Sequence, residues 1–288
     1  MSDWRCWELR TPNARPESGD RILKIVVAPL ADGHSHWFFL RYWNGGAHIR
    51  LRVRIQNADE AVAVEAHIRR RYAEYLRRAD RSEDQTEAEY RAIGRHLAEI
   101  GEGGGAIVLA SYRSLGVYAG SYSRELDRYG GEAAMQYAEL CFIESSKLAM
   151  AMISGNTSAN ARAALLTQAA VSGARTFART TGVSVARSLG RQTRIFGPAQ
   201  ERFRRKNADP IDAVVARLFM ATEVESVLST WLTALKENID SASDSERGAL
   251  SVLLSQVHMT ANRLGLPMSF ENRLWNSIRR QDSLTSIN

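Results

Sequence analysis

The sequence predicts an α+β protein: a ferredoxin-like, split βαβ antiparallel sheet in the N-terminal half, followed by a mainly helical C-terminal half. Three observations carry this. Residues 37–54 read as two extended segments around Asn44-Gly45-Gly46, residue types that tolerate the positive φ a hairpin loop needs. The elements around that hairpin fall in the order β-α-β-β-α-β, with one extra helix before the last strand. Beyond residue 131, apolar residues recur at helical spacing.

Taken in order, residues 4–10 alternate weakly and read as a first strand, and residues 11–19, with Pro12 and Pro16, as a loop. Asp20 then caps a short apolar segment, 22–28, ended by Pro29. Its residues are β-branched, but its cap and its place between strands favour a helix. Residues 36–43 and 48–55 are the hairpin strands. Residues 59–78 place Ala61, Val64, Ile68, Tyr72 and Leu76 at helical spacing. A polar loop is expected at 79–89, a helix at 90–100 and a break at Gly101–Gly105. Residues 106–109 and 115–123 read as extended.

The second half is expected to hold helices at 133–152, from Pro210 through 235 with a kink, at 246–264 and at 271–280. Breaks fall at 154–160 and 238–245, and Gly265 and Pro267 end the 246–264 helix. Leu250, Leu253, Leu254, Val257, Ala261 and Leu264 form that helix's apolar stripe. The chain reads as a single domain, residues 1–288, with a sheet-containing part (1–131) and a helical part (132–288).

The second hairpin strand carries the first chemical signal. Ile49, Leu51 and Val53 point to one face; His48, Arg50, Arg52 and Arg54 point to the other. A solvated outer face is the plain explanation. Consecutive arginines on one face repel one another, however, unless something anionic sits among them. The guanidinium fork also suits carboxylate and phosphate. The sharper reading is an anion site on a sheet face with a histidine at its edge.

Composition bounds the rest. The chain has 288 residues and a net charge of +6, enough for a sizeable core. Its two cysteines, Cys6 and Cys141, lie far apart without metal-ligand spacing, which argues against a disulfide framework or a zinc site. No signal peptide and no apolar run of membrane-spanning length is evident, so a cytoplasmic protein is expected. Charge is uneven: residues 161–206 hold ten basic residues against one acid, Glu201. This Ala-, Ser-, Thr- and Gly-rich segment is either a partly mobile or solvated stretch or a surface for an acidic partner. No Walker-type loop, dinucleotide fingerprint, His-Glu-x-x-His or Gly-x-Ser-x-Gly occurs.

Two further constellations stand out. Glu125 and Arg128 are spaced to pair or to aim at one ligand, beside Tyr129 and the Gly130-Gly131 turn that opens the next helix. A surface ion pair is the plain alternative. His258 and Asn262 lie one turn apart at the edge of the late apolar stripe, followed by Arg263. A lone helical histidine is more often structural.

Three stretches in order resemble one family. Trp37-Phe-Phe-Leu-Arg-Tyr followed by His48-Ile-Arg50-Leu-Arg52 resembles the opening motif of the C-terminal domain of class I lantibiotic dehydratases, which also stands alone as the thiopeptide-type bacteriocin biosynthesis domain. Tyr122-Ser-Arg-Glu125-Leu-Asp-Arg128-Tyr-Gly-Gly131 looks like its second motif, and His258-Met-Thr-Ala-Asn262-Arg263-Leu is similar to its C-terminal helix motif. The likeness runs from Trp4 to about Arg280.

The resemblance implies an activity. In the full-length dehydratases this domain eliminates glutamate from Ser and Thr side chains of a precursor peptide, after a separate domain has glutamylated them from glutamyl-tRNA. The resemblance implies the elimination half of a split dehydratase. The family's elimination residues fall on Arg50, Arg52, Glu125, Arg128 and His258. His48, Tyr129, Asn262 and Arg263, in the same motifs, are expected to contact substrate. The implied partners are a leader-bearing precursor peptide and a separate glutamylating protein. A homodimer is allowed, and no direct nucleic-acid contact, membrane, metal or cofactor is expected. Relatives of the same fold are thiopeptide pyridine synthases, which join two dehydroalanines in a formal [4+2] cycloaddition and release the leader. A non-catalytic peptide-binding scaffold, using the basic segment, is the third reading.

Overall fold

The computed structural model describes residues 3–79, 84–99, 108–191, 210–221 and 226–285. They fall in two compact units, Met1–Ser123 with Ala149–Thr157, and Arg124–Leu148 with Ser158–Asn288. The first holds β1 (Asp3–Arg10), α1 (Pro16–Ile22), a π-helical stretch (Leu23–Val27), α2 (Ala28–Ala31), β2 (Trp37–Tyr42), β3 (His48–Ile55), α3 (Ala58–Arg78), α4 (Glu87–Glu99) and β4 (Val117–Gly120).

The strands form one four-stranded antiparallel sheet in the order β2-β3-β1-β4. The hairpin turn is as its residues predict, with Gly45 at φ +90 and Gly46 at φ +98. Register sorts the side chains. Leu9, Ile49, Leu51, Val53, Trp37 and Phe39 share one buried face, and α1 and α3 pack on that sheet. α3 begins where the N-cap Asn57 accepts from Glu60 N at 2.9 Å, and the Glu60 carboxylate accepts from Gln56 N, just before the cap, at 2.6 Å.

The helix expected at 22–28 is present but longer. It starts at Pro16, whose fixed φ suits a first helical position, so Asp20 is interior and pairs with Arg41 instead of capping. Pro29 does not end it. Proline lacks the N–H that would bond the Ile25 carbonyl, and Arg71 Nε donates to that carbonyl at 3.0 Å instead. The turn before it widens so that Ala28 N bonds Leu23 O. β4 is shorter than the expected 115–123, because only Val117–Gly120 finds partners on β1. The polar loop expected at 79–89 stops short of Glu87, where α4 begins. Gly101–Gly105 lies outside the described residues; Val108 and Leu109 are in no strand.

The second unit is helical: α5 (Leu126–Tyr129), α6 (Glu132–Ser154, whose last residues belong to the first unit), α7 (Ala159–Thr181), α8 (Val185–Arg191), α9 (Pro210–Met220), a 3-10 turn (Ser226–Leu228), α10 (Ser229–Ser241), α11 (Glu246–Leu264) and α12 (Met268–Thr285). α11 packs on α7, α10 and α5, and α12 on α9 and α8. Ser158 and Ser245 cap α7 and α11, and Gly182 and Gly265 end them at positive φ.

Three expectations need correcting here. The 161–206 segment is not a mobile stretch in its described part: α7 is a buried 23-residue helix. Its small residues let α10 and α11 approach; a Cβ on Gly173 would meet Leu253 Cδ1 at 2.9 Å. Two of its arginines are structural, Arg162 donating to Leu264 O at 3.3 Å and Arg175 to Phe219 O. The helix from Pro210 ends at Met220, and the next runs to Ser241, past the expected loop start at 238. Asn238 is buried there, donating to Tyr129 O at 3.0 Å and Ala134 O at 3.3 Å, and its Oδ1 accepts from Gln256 Nε2 at 3.0 Å. A polar residue read as loop thus satisfies carbonyls at the α5–α6 turn. The last helix spans Met268–Thr285, beyond the expected 271–280 at both ends.

Candidate active site

The nine residues expected in the site fall in both units. In the first, the face of the sheet opposite the core carries Glu8 and Arg10 from β1, His48, Arg50, Arg52 and Arg54 from β3, and Phe38 and Tyr42 from β2. The plain explanation of a solvated outer face does not hold: Phe38, His48 and Arg52 are buried. Arg50 and Arg52 lie against rings, whereas Arg54 is exposed. Arg50 Cζ sits 3.6 Å from the Tyr42 ring centre, and Arg52 Cζ 4.4 Å from Tyr122 and 5.3 Å from Phe38. Arg52, 8% exposed, also bonds the buried Cys6 thiol. Burial pulls the Arg52 pKa down, while Cys6 and Tyr122 oppose that pull.

The anion among these cations is internal. Glu8 stands within 2.8 Å of Arg10, 3.6 Å of Arg113 and 3.9 Å of Arg50. Arg10 was not singled out in the sequence. It is buried, and its Nη1 donates to Gly45 O and Gly46 O, both at 2.7 Å, locking the hairpin turn. Only the β1–β3 register reveals its place opposite His48.

His48 is held neutral. Arg50 Nε donates to its Nε2 at 3.2 Å, so the ring proton sits on Nδ1 and is donated to Gly46 O at 2.7 Å. The 3.0 Å approach of Arg10 Nη1 to Nδ1 is then a contact of two donors aimed at the same carbonyl. Burial, and then the Arg10 charge, push the His48 pKa down to about 3. His48 positions Arg50 and is no proton donor near neutrality.

In the second unit α11 presents Ser251, Ser255, His258 and Asn262 along one polar edge, at helical spacing. Arg128 of α5 docks on it: its Nε donates to Ser255 Oγ at 2.9 Å and its Nη1 pairs with Glu125 at 3.1 Å, the pairing the i, i+3 spacing suggested. Ser251 Oγ donates to the Arg128 carbonyl at 3.3 Å. His258 follows Ser255 by three residues, so the hydroxyl that holds Arg128 and the imidazole share one helix face, their backbone positions about 5 Å apart along the axis. Its Nδ1 lies 2.9 Å from Glu271 Oε2 of α12. Glu125 is 62% exposed, and its carboxylate is the outermost of this group.

The other expected contacts lie deeper. Tyr129 is buried with its ring edge-on to Phe142 at 5.0 Å. Arg263 is buried, its Nε donating to Ser146 Oγ at 3.0 Å. Tyr129 packs at the α5–α6 turn, and Arg263 ties α11 to the middle of α6. Asn262 is half-buried one turn beyond His258. Glu271 and Ser255 went unnoticed in the sequence; Glu271 carried no signal, and Ser255 could have been found as the residue one turn before His258 on its face. Among the described residues, no cluster of His, Cys, Asp or Glu is placed to hold a metal ion, and no helix is long and apolar enough to cross a membrane.

A four-stranded antiparallel sheet with a cation-rich aromatic face in one unit, and in the other a helical array with a histidine and an arginine on one helix edge, define a mixed α/β protein. The family described as lantibiotic biosynthesis dehydratase C-term matches residues 4–281, and the chain belongs to that family. Solved structures share the fold. The tRNA-dependent lantibiotic dehydratase MibB from Microbispora sp. 107891 is 20% identical with a TM-score of 0.57; the match covers 99% of this chain and 28% of MibB. The pyridine synthase TbtD from thiomuracin biosynthesis is 15% identical with a TM-score of 0.64, over 99% of both chains. TsrL is 16% identical with a TM-score of 0.63, over 100% of this chain and 96% of its own. No curated protein matches the sequence.

Proposed function

We propose that this chain is a lyase that eliminates glutamate from glutamylated Ser and Thr of a ribosomally made precursor peptide, leaving dehydroalanine or dehydrobutyrine. The observation that carries the reading is the docking of Arg128 on Ser255, one turn from His258, which puts a proton acceptor and a cation on one helix edge. β-Elimination needs both. A base takes the α-proton; the electrons pass through the enolate to form the Cα–Cβ double bond; the Cβ–O bond breaks and glutamate leaves as a carboxylate. His258 is assigned the proton. Arg128 stabilises developing negative charge. Arg50 and Arg52, each backed by aromatic rings, are assigned to carboxylate binding, and Glu125 to orienting Arg128. In this reading a separate protein glutamylates the peptide from glutamyl-tRNA, and the chain works in the cytoplasm. The strand order β2-β3-β1-β4 and its antiparallel pairing support the split βαβ description of the sheet.

A second reading, pyridine synthesis with leader release, is supported by the full-length likeness to TbtD. Presence of all five charged residues favours elimination, because no glutamate leaves in a cycloaddition. The test is mass spectrometry of a leader-bearing peptide with one glutamylated serine, incubated with wild type, His258→Ala and Arg128→Ala. Dehydroalanine from wild type and intact ester from the variants is expected. An untouched ester with folded wild type overturns the reading, and a peptide with two dehydroalanines and azoles then tests for leader release.

A further inference from the structure

We infer that Glu271 is a positioning residue that sets the working nitrogen of His258, making Nε2 the atom that takes the α-proton; this rests on the elimination reading above. The two residues are brought together by a tight helix–helix turn. α11 ends at Gly265, whose φ of +72 reverses the chain, and α12 starts at Met268, so Glu271 falls back beside His258. The carboxylate is 3% exposed and lies 2.9 Å from Nδ1. Glu271 also lies in the first turn of α12, where the helix dipole favours negative charge.

The chemistry follows from which atoms can donate. A carboxylate accepts, so the ring carries its proton on Nδ1 and Nε2 is the basic nitrogen. As Nε2 takes a proton, the imidazolium forms against a buried anion that is already in place, and the proton is later lost to water. Packing alone does not require this arrangement, since a glutamine of the same shape would fill the space.

Other charged groups reach α11 from its neighbours. Arg128 of α5 sits on Ser255 and is itself paired with Glu125. Arg162 of α7 sits on the Leu264 carbonyl, and Ser188 of α8 binds Glu246 at the far end. On α10, Lys236 pairs with Asp240 at the surface. The Glu271 carboxylate touches the ring, and an imidazolium at His258 loses that charged partner when glutamine replaces it.

The experiment uses the full chain as wild type, Glu271→Gln and Glu271→Asp, with histidine rings labelled with carbon-13. His258 is assigned by the signal lost in His258→Asn. Glu271→Gln is expected to move the His258 midpoint down by about one pH unit, with Glu271→Asp restoring part of it. On the glutamylated peptide, Glu271→Gln is expected to lower kcat about tenfold with KM unchanged, and to shift the acid limb of the pH profile down with the ring midpoint. An unchanged midpoint in a folded Glu271→Gln protein overturns the inference, whether or not the wild type eliminates. A wild type that leaves the ester intact, with a shifted midpoint, overturns the elimination reading and leaves the Glu271–His258 couple standing.

Discussion

Glu8 on β1 stands directly across the sheet from Arg50 on β3. Its carboxylate lies among Arg10, Arg50 and Arg113, and so answers from within the fold the charge of one of the three β3 arginines. Glu8→Gln keeps the shape and removes the charge, leaving the buried Arg10 guanidinium without its counter-ion. A stability loss of about 3 kcal/mol is expected, read as a lower midpoint in urea unfolding. A change within experimental error would show that Arg10 is held by the Gly45 and Gly46 carbonyls alone.

His48 makes stability depend on pH in a defined direction. Its folded-state pKa is about 3, against an ordinary value of 6.5. Between those values the unfolded chain binds one more proton than the folded one. The contribution is fully present above pH 6.5 and is lost as pH falls below it, by about 1.4 kcal/mol per pH unit. His48→Gln removes this dependence. The slope of unfolding free energy between pH 6 and pH 4 should be shallower in the variant by one proton's worth, and equal slopes would place the titration elsewhere.

Gly130 and Gly131 separate backbone strain from collision. Both have positive φ, +92 and +89. A Cβ on Gly131 meets nothing within 4 Å, whereas one on Gly130 lies 2.6 Å from Ala242 Cβ. Gly131→Ala should cost about 1 kcal/mol from the left-handed backbone alone. Gly130→Ala should cost about 3 kcal/mol, because overpacking adds to it. Thermal unfolding of the pair checks the ordering.

Ser255 orients Arg128 without belonging to any of the motifs. Ser255→Ala removes the hydroxyl that accepts from Arg128 Nε and leaves the helix intact. Elimination should slow about tenfold in kcat, roughly 1.4 kcal/mol of barrier, with an unfolding midpoint close to wild type. Single-turnover kinetics on the glutamylated peptide measure it. A variant as fast as wild type would remove Arg128 orientation from the proposed chemistry.

Much of this protein was legible in its local sequence. The Asn44-Gly45-Gly46 turn, the alternation of β3 and the apolar stripe of α11 come from backbone sterics and side-chain period, which act over a few residues. The pairing of Glu125 with Arg128 is local for the same reason. Element ends were less legible. Pro29 reads as a stop, but the carbonyl it orphans is met by Arg71, far along the chain. Residues 161–181 read as loose because they are small, and small residues are what close helix packing on α10 and α11 requires.

What only the tertiary structure decided is which distant groups meet. Register put Glu8 and Arg10 among the β3 side chains, turning an apparently open anion site into a partly self-neutralised one with a neutral His48. Asn238, polar and read as loop, is buried where it donates to the carbonyls of Tyr129 and Ala134. The reversal at Gly265 set Glu271 against His258. The sequence by itself determined the elements and the charged motifs, since propensity and period are short-range. Partners and protonation states waited for the fold, since burial and hydrogen bonding depend on neighbours supplied by other elements.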